Sequence, residues 1–212
     1  EFVWTGFDYL GEPTPYYTDW PSHSSLFGII DLAGLPKDRY YLYRSHWNRN
    51  EETLHILPHW NWKGREGQKT PVYVYTSYPS AELFVNGRSA GKRIPEEYTV
   101  TWQVPYEKGE IKVIAVDDNG NTYEDIRRSF SDSAAIVLSA NKTTLKADGE
   151  DMLAVTISTV DADGNPVDNA RDRITIGAIG AKIVGFDNGD STDYDSYKCC
   201  CRKLFSGKAV AL

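Results

Sequence analysis

Two carboxylates, Asp8 and Glu12, fall in the aromatic-rich stretch EFVWTGFDYLGEPTPYY, where Phe2, Trp4, Phe7, Tyr9, Tyr16 and Tyr17 alternate with polar and turn residues. A pair of carboxyl groups is what general acid–base and nucleophilic cleavage of a glycosidic bond requires. Glu12, however, sits in a loop with Pro13 and Pro15 and has no rigid element behind it, so the pair is rejected as catalytic machinery. Trp4, flanked by apolar Val3, could offer a flat face to the C–H groups of a sugar, or could equally fill a core. His23 and Ser24 lie in the loop that continues as GEPTPYYTDWPSHSS. His46, His55 and His59 have no companions at metal-ligand or triad spacing. Cys199, Cys200 and Cys201 are consecutive; neighbours on an extended chain point apart, which suits neither a disulfide nor a zinc site. The Asp-bearing turns of GEDMLAVTI and DADGNPV lack a twelve-residue calcium loop and read as Asx turns. No metal and no cofactor is expected.

The elements that would position these residues change along the chain. Residues 1–50 read as a short strand, a long Gly/Pro/Thr-rich loop and one helix, starting near Pro36 with Asp38 at its positive end. Tyr40, Tyr43, Arg44 and Trp47 recur at helical spacing and are expected to form its packing stripe. One strand and one helix cannot bury their own apolar faces. From about residue 54 the period is two: TPVYVYTSY, AELFVNGRSAGKRI, YTVTWQVPY and EIKVIAVDDNGNTYEDIRRSF read as antiparallel strands. Asn86-Gly87 and Asn119-Gly120 are expected at type I′ hairpin turns. A junction at FSDSAA, residues 130–135, leads into a second run of strands and Gly/Asp turns.

Composition bounds the partners. The chain has 212 residues, 41% hydrophobic, with a formal charge of −7 and a pI of about 5.1. An acidic chain does not offer the basic footprint that nucleic acid or an anionic membrane surface needs. No apolar run approaches the roughly 20 residues of a spanning helix. The 14 Tyr and 6 Trp suit either a sugar- or protein-binding surface or the cores of β-sheets.

FVWTGFDYLGEPTPYY, FGIIDLAGLPKDRYYLYRSHW and LHILPHWNW together resemble the C-terminal part of the catalytic barrel of glycoside hydrolase family 2, in its β-galactosidase-like, Bacteroidetes-type members. VYVYTSYPSAELFVNGRSAGK resembles the β-sandwich that follows that barrel, and LKADGEDMLAVTISTVDADGNPV the further immunoglobulin-like, invasin-like module. The resemblance implies a mainly β chain: two immunoglobulin-like β-sandwiches, 51–131 and 132–212, preceded by a strand-loop-helix remnant of a TIM (β/α)8 barrel over 1–50. It implies a C-terminal fragment of a retaining exo-glycosidase acting on terminal β-galactosides. The family's two catalytic glutamates lie on earlier strands, so this chain alone is expected to be inactive. Trp4 is then expected as the floor under the cleaved sugar. Asp8 would hydrogen-bond sugar hydroxyls or hold the loop, and His23 would line the rim. Trp47, Trp60 and Trp62 would pack the barrel against the first sandwich. The substrate partner would be a galactoside, and the resemblance places such proteins in the periplasm or outside the cell. KCCCRK departs from the small or polar residues expected there; a frame artefact and a genuine strand of three thiols both accommodate it. Residues 134–212 fall short of the roughly 100 residues of a full immunoglobulin-like domain, and the final GKAVAL reads as a strand just begun, so a truncated sandwich with a frayed end is expected. The alternative is a non-catalytic immunoglobulin-like adhesion or carbohydrate-binding module, for which a segment such as WTGFDYLGEPTPYY has no use.

Overall fold

The computed structural model describes residues 3–13, 16, 18 and 21–212. The chain divides into two compact units: residues 36–129 form one, and residues 1–35 together with 130–212 form the other. The sequence reading had kept 1–50 as one segment. Here its first part packs with the C-terminal sandwich and its helix with the central one.

In the central unit, α1 (Asp38–Trp47) precedes seven strands: β1 (Leu54–Leu57), β2 (Lys69–Thr76), β3 (Ala81–Val85), β4 (Arg88–Arg93), β5 (Thr99–Pro105), β6 (Glu110–Val116) and β7 (Thr122–Arg128). They form two antiparallel sheets, ordered β1-β2-β5 and β4-β3-β6-β7. Strand side chains alternate between faces, and β2, β3, β5 and β6 each bury every second residue. Val72, Val74, Val100 and Trp102 from one sheet thus meet Leu83, Ile111 and Val113 from the other. Trp60 is 0% exposed at the centre, and its indole N–H donates to the Glu107 carbonyl at 2.9 Å. That bond removes the cost of burying a polar ring atom. Trp62 packs partly buried against the same core, whereas Trp47 is exposed. Trp60 and Trp62 thus belong to the core of this sandwich.

The two expected hairpins differ. Asn86 (φ 48°) and Gly87 (φ 77°) both adopt the left-handed backbone, as a type I′ turn requires. At Asn119-Gly120 only Gly120 does (φ 85°). Here Asp117 takes over the turn: its carboxylate accepts the N–H groups of Asn119 (2.9 Å) and Asn121 (2.8 Å) and the Asn121 side-chain amide (2.9 Å). These bonds, led by the Asn121 amide, hold the Asp117 carboxyl below the usual carboxylate range.

The helix forms where expected but turns a different face inward. Ser45 is its buried residue, Tyr41 stacks on His55 with centroids 3.7 Å apart, and Asp38 Oδ1 lies 2.8 Å from His55 Nε2. Ser45 and Tyr41 face inward with Asp38 at the exposed edge, and of the expected 40/43/44/47 set Tyr40, Tyr43 and Arg44 are half-buried and Trp47 is exposed. The chosen stripe leaves Arg44 to pair with exposed Glu51 at 2.7 Å. It also leaves Tyr43 and Trp47 to pack on each other, centroids 4.6 Å apart.

The other unit carries β8 (Ala135–Ala140), β9 (Val155–Val160), β10 (Arg173–Thr175), β11 (Phe186–Asp187), β12 (Cys201–Lys203) and β13 (Lys208–Ala211). One sheet is ordered β11-β13-β9-β8 and the second pairs β10 with β12. Ile157, Phe186 and Ala209 of the first sheet close over Ile174 and Leu204 of the second, with Phe130 and Val167. The expected fraying at GKAVAL is not what the structure has. β13 is a central strand, hydrogen-bonded on one side to β9 and on the other to β11, and Ala209 and Val210 are buried. The open edge is instead β8, all six of whose residues are exposed. Amide exchange is accordingly expected to be slower, by roughly tenfold or more, across residues 208–211 than across 135–140. Equal or faster exchange at β13 would contradict this pairing.

Among the described residues, no helix is long and apolar enough to cross a membrane, and no group of three or more His, Cys, Asp or Glu side chains is gathered to hold a metal ion. Cys199 and Cys201 are half-buried and Cys200 is exposed; all three are free thiols.

Candidate functional site

The N-terminal segment is built from two short pairings. Phe7 bridges Ile30 in parallel, and Leu10 bridges Ser24 antiparallel. The second is a small ladder: Ser25 N–H donates to the Tyr9 carbonyl (2.9 Å), and Gly11 N–H to that of His23 (2.8 Å). The backbones come very close at Gly28. A Cβ there would lie 2.3 Å from the Asp8 nitrogen and from the Phe7 carbonyl carbon, so only glycine fits.

Asp8 is 6% exposed. Its Oδ1 accepts the Gly28 N–H at 2.9 Å, and its own N–H donates to the Ile30 carbonyl at 2.9 Å. These bonds tie Asp8 to the segment around Gly28 and Ile30. Trp4 is the opposite case, 75% exposed, with its indole N–H donating to the Tyr9 hydroxyl at 3.0 Å. The Tyr9 hydroxyl in turn donates to Glu12 Oε2. That bond to a carboxylate favours the protonated phenol and raises the Tyr9 pKa. Val3, Phe7 and Leu10 are exposed beside Trp4 in sequence.

His23 lies elsewhere on the segment. Its N–H donates to the Ser191 carbonyl at 2.9 Å, and its ring packs against Tyr194 with centroids 4.6 Å apart and planes tilted by 54°. His23 Nδ1 and Ser24 Oγ are buried without a hydrogen-bond partner among the described residues. His23 thus lies in the ladder, Trp4 is joined to it through the Tyr9 side chain, Asp8 is turned inward and Glu12 is tied to Tyr9.

The loop that meets His23, residues 187–195, was not singled out from sequence. It attaches at two further points. Ser22 Oγ reaches Ser191 Oγ at 3.4 Å. A Cβ on Gly189 (φ 76°) would stand 2.4 Å from Asp31 Oδ2. Burial there pushes the Asp31 carboxyl up, against the lowering effect of the Leu35 and Ala33 N–H groups. The loop is itself braced by Arg202, which is 0% exposed. Arg202 Nη1 lies 3.3 Å from Asp193 Oδ2 and 3.5 Å from Asp187 Oδ1, Nη2 donates to the Asp195 carbonyl, and the guanidinium sits 5.0 Å from the Tyr197 ring centre. Asn188 adds bonds to Asp193 (2.7 Å) and to the Lys203 carbonyl (3.0 Å). The signal available in sequence was FDNGDSTDYD, whose Asp, Asn and Gly density marks a turn but not what the turn touches.

Similarity to known proteins fits this arrangement. Residues 136–212 match the family model described as glycoside hydrolase family 2 C-terminal domain 5, and residues 67–124 match a domain of unknown function, DUF4982. The whole chain aligns at 40% identity with a quarter (25%) of Beta-galactosidase BoGH2A from Bacteroides ovatus. At 28% identity, 76% of the chain aligns with 17% of a Beta-glucuronidase from Formosa agariphila. Among solved structures, the crystal structure of a beta-glycosidase from Bacteroides vulgatus superposes with a TM-score of 0.92 at 34% identity, over all of this chain and 27% of that one. A glycosyl hydrolase family 2 member from Bacteroides cellulosilyticus superposes at 0.87 with 27% identity, over 98% of this chain and 32% of that one. The chain spans about a quarter of the length of its 40%-identical relative, and the antiparallel sheets described above are those of the matching C-terminal domains. The chain belongs to glycoside hydrolase family 2, of which it carries the C-terminal β-domains.

Proposed function

We propose that this chain serves a retaining exo-glycosidase that removes terminal β-galactosyl residues, and that residues 1–50 are the last strand, loop and helix of its catalytic TIM barrel. The observation that carries the reading is Trp4, open to solvent on a braced segment and tied through its indole N–H to Tyr9. Barrel active sites lie at the carboxyl ends of the strands, on the loops that follow them. An aromatic face placed there packs on the C–H face of a sugar ring. The exposed side chains of Val3, Phe7 and Leu10 form the kind of surface that the other units of a barrel would cover. In this reading Trp4 is the sugar platform, His23 lines the rim and Asp8 holds the loop beneath them. The proton donor and nucleophile would come from glutamates outside this chain.

Galactoside is favoured over uronide on two grounds. The 40%-identical relative bears the name of a β-galactosidase. Residues 1–35 contain acidic side chains but no Lys or Arg, so a uronate carboxylate would find no cation on this wall to pair with. The proposed place of work is the periplasm or the cell exterior. The test is to assay the full-length polypeptide on matched chromogenic β-galactoside and β-glucuronide. A higher kcat/KM on the galactoside is expected. A preference for the glucuronide would overturn the substrate assignment, and turnover of neither would overturn the function.

A further inference from the structure

We infer that Asp31 is a proton-sensitive joint between the N-terminal segment and the loop 187–195: the neutral carboxyl lets the two close on each other, and the carboxylate loosens them. Its bearing on a sugar rests on the function proposed above; the joint itself does not.

The contact is between a carboxyl group and bare backbone. Asp31 follows Ile30, which bridges Phe7 and whose carbonyl accepts the Asp8 N–H at 2.9 Å. Its own N–H donates to the Leu35 carbonyl at 2.9 Å, and its Oδ1 accepts the Leu35 N–H at 2.8 Å. The side chain is thus fixed from both sides along the chain. Its other oxygen lies against the loop. A Cβ on Gly189 would stand 2.4 Å from Asp31 Oδ2 and 2.6 Å from the carboxyl carbon, so the group occupies the space a side chain would need. Two residues further along the loop, Ser191 accepts the His23 N–H at 2.9 Å. Segment and loop meet at both places, and at Asp31 the meeting is made by a group that titrates.

The charges around that group are of its own sign. Asp187 faces it from β11 and Asp8 from the first segment. The cations that reach the loop are engaged elsewhere: Arg202 with Asp187 and Asp193, and Arg171 with Asp190. None of the ion pairs among the described residues includes Asp31. Burial pushes its carboxyl up from the ordinary value; the Leu35 and Ala33 N–H groups oppose this, and the Asp187 and Asp8 charges add to it. A carboxylate pressed onto backbone among like charges is costly, and a proton removes the cost. The carboxyl therefore binds its proton more tightly with the loop closed on it than when open to water. Closure is favoured in acid and weakens as pH rises through the raised value of Asp31.

Hydrogen exchange of the full-length polypeptide, read over residues 22–31 and 187–195, follows the joint without any substrate. After correction for the intrinsic effect of pH on exchange, wild-type protection should be at least about threefold higher at about pH 4.5 than at about pH 7.5. Asp31→Asn keeps the acceptor for Leu35 and cannot ionise, so it should hold the acid level of protection at both pH values. Gly189→Ala, whose Cβ has no room beside Asp31, should lower protection of both segments at both pH values and leave residues 36–129 unmoved. Equal wild-type protection at the two pH values overturns the inference, as does an Asp31→Asn variant that keeps the wild-type pH dependence. Absence of galactoside turnover alongside the expected exchange pattern removes the proposed function and leaves the joint standing.

Discussion

Replacing Trp4 by alanine in the full-length polypeptide is expected to lower kcat/KM on a β-galactoside by roughly one to three orders of magnitude, because misplacing a substrate by even about 1 Å can cost a hundredfold. Folding should be little affected, since Trp4 is exposed and contributes one hydrogen bond to Tyr9. The 212-residue chain alone should neither turn over the substrate nor bind it tightly. Retaining cleavage needs two carboxyl groups about 5–5.5 Å apart across the bond. Here Glu12 accepts the Tyr9 hydroxyl, and Asp8 is buried against the Gly28 amide. Stacking on Trp4 alone is worth about 0.5–1.5 kcal/mol, far short of the 4.1 kcal/mol of a millimolar complex. Two results would contradict these expectations: hydrolysis of a chromogenic galactoside by the purified chain that disappears in Asp8→Asn or Glu12→Gln, or an unchanged kcat/KM in full-length Trp4→Ala.

Arg202→Ala is expected to be the most destabilising single change in the C-terminal sandwich, at about 3–5 kcal/mol, the cost of breaking a buried ion pair by removing one partner. Its guanidinium is 0% exposed and faces both Asp187 and Asp193. Truncation leaves those two carboxylates without their shared cation and opens a cavity under Tyr197. Pulsed amide exchange in increasing urea, read peptide by peptide, would follow the two units separately. Residues 130–212 should open at lower denaturant in the variant, while residues 36–129 should be unmoved. A shift worth less than about 1 kcal/mol would mean that the pair adds little beyond what it costs to desolvate.

What could be read from sequence followed period and turn chemistry. β2, β3, β5 and β6 were legible because each buries alternate residues, and Asn86-Gly87 because both residues must take positive φ. Helix α1 was legible as a helix but not in its facing. Tyr, Arg and Trp all carry both apolar and polar parts, so spacing alone does not say which stripe turns inward. The inward stripe was settled by a distant partner, His55. β12 gave no pattern because it has three residues and buries the middle one, an arginine. GKAVAL was legible as a strand, but its place at the centre of a sheet depends on β9 and β11, which local sequence does not contain. Trp4 and His23 were singled out by residue type and loop position, but the packing of His23 on Tyr194 was not legible, because the two are far apart in sequence.

That long separation has a consequence for synthesis. Ser22 and Ser191, whose hydroxyl oxygens lie 3.4 Å apart, are 169 positions apart. At about 5–20 residues per second, the ribosome needs on the order of ten to thirty seconds to travel from one to the other. Residues 36–129 can close their own core within that interval. Residues 21–31, made earlier than both, must wait for residues 187–195 before Ser191 and Gly189 can take them up. Residues 21–31 are thus made well before they can settle, and a ribosome that stalls before residue 187 releases a chain whose central sandwich can fold but whose residues 21–31 lack the loop that takes them up.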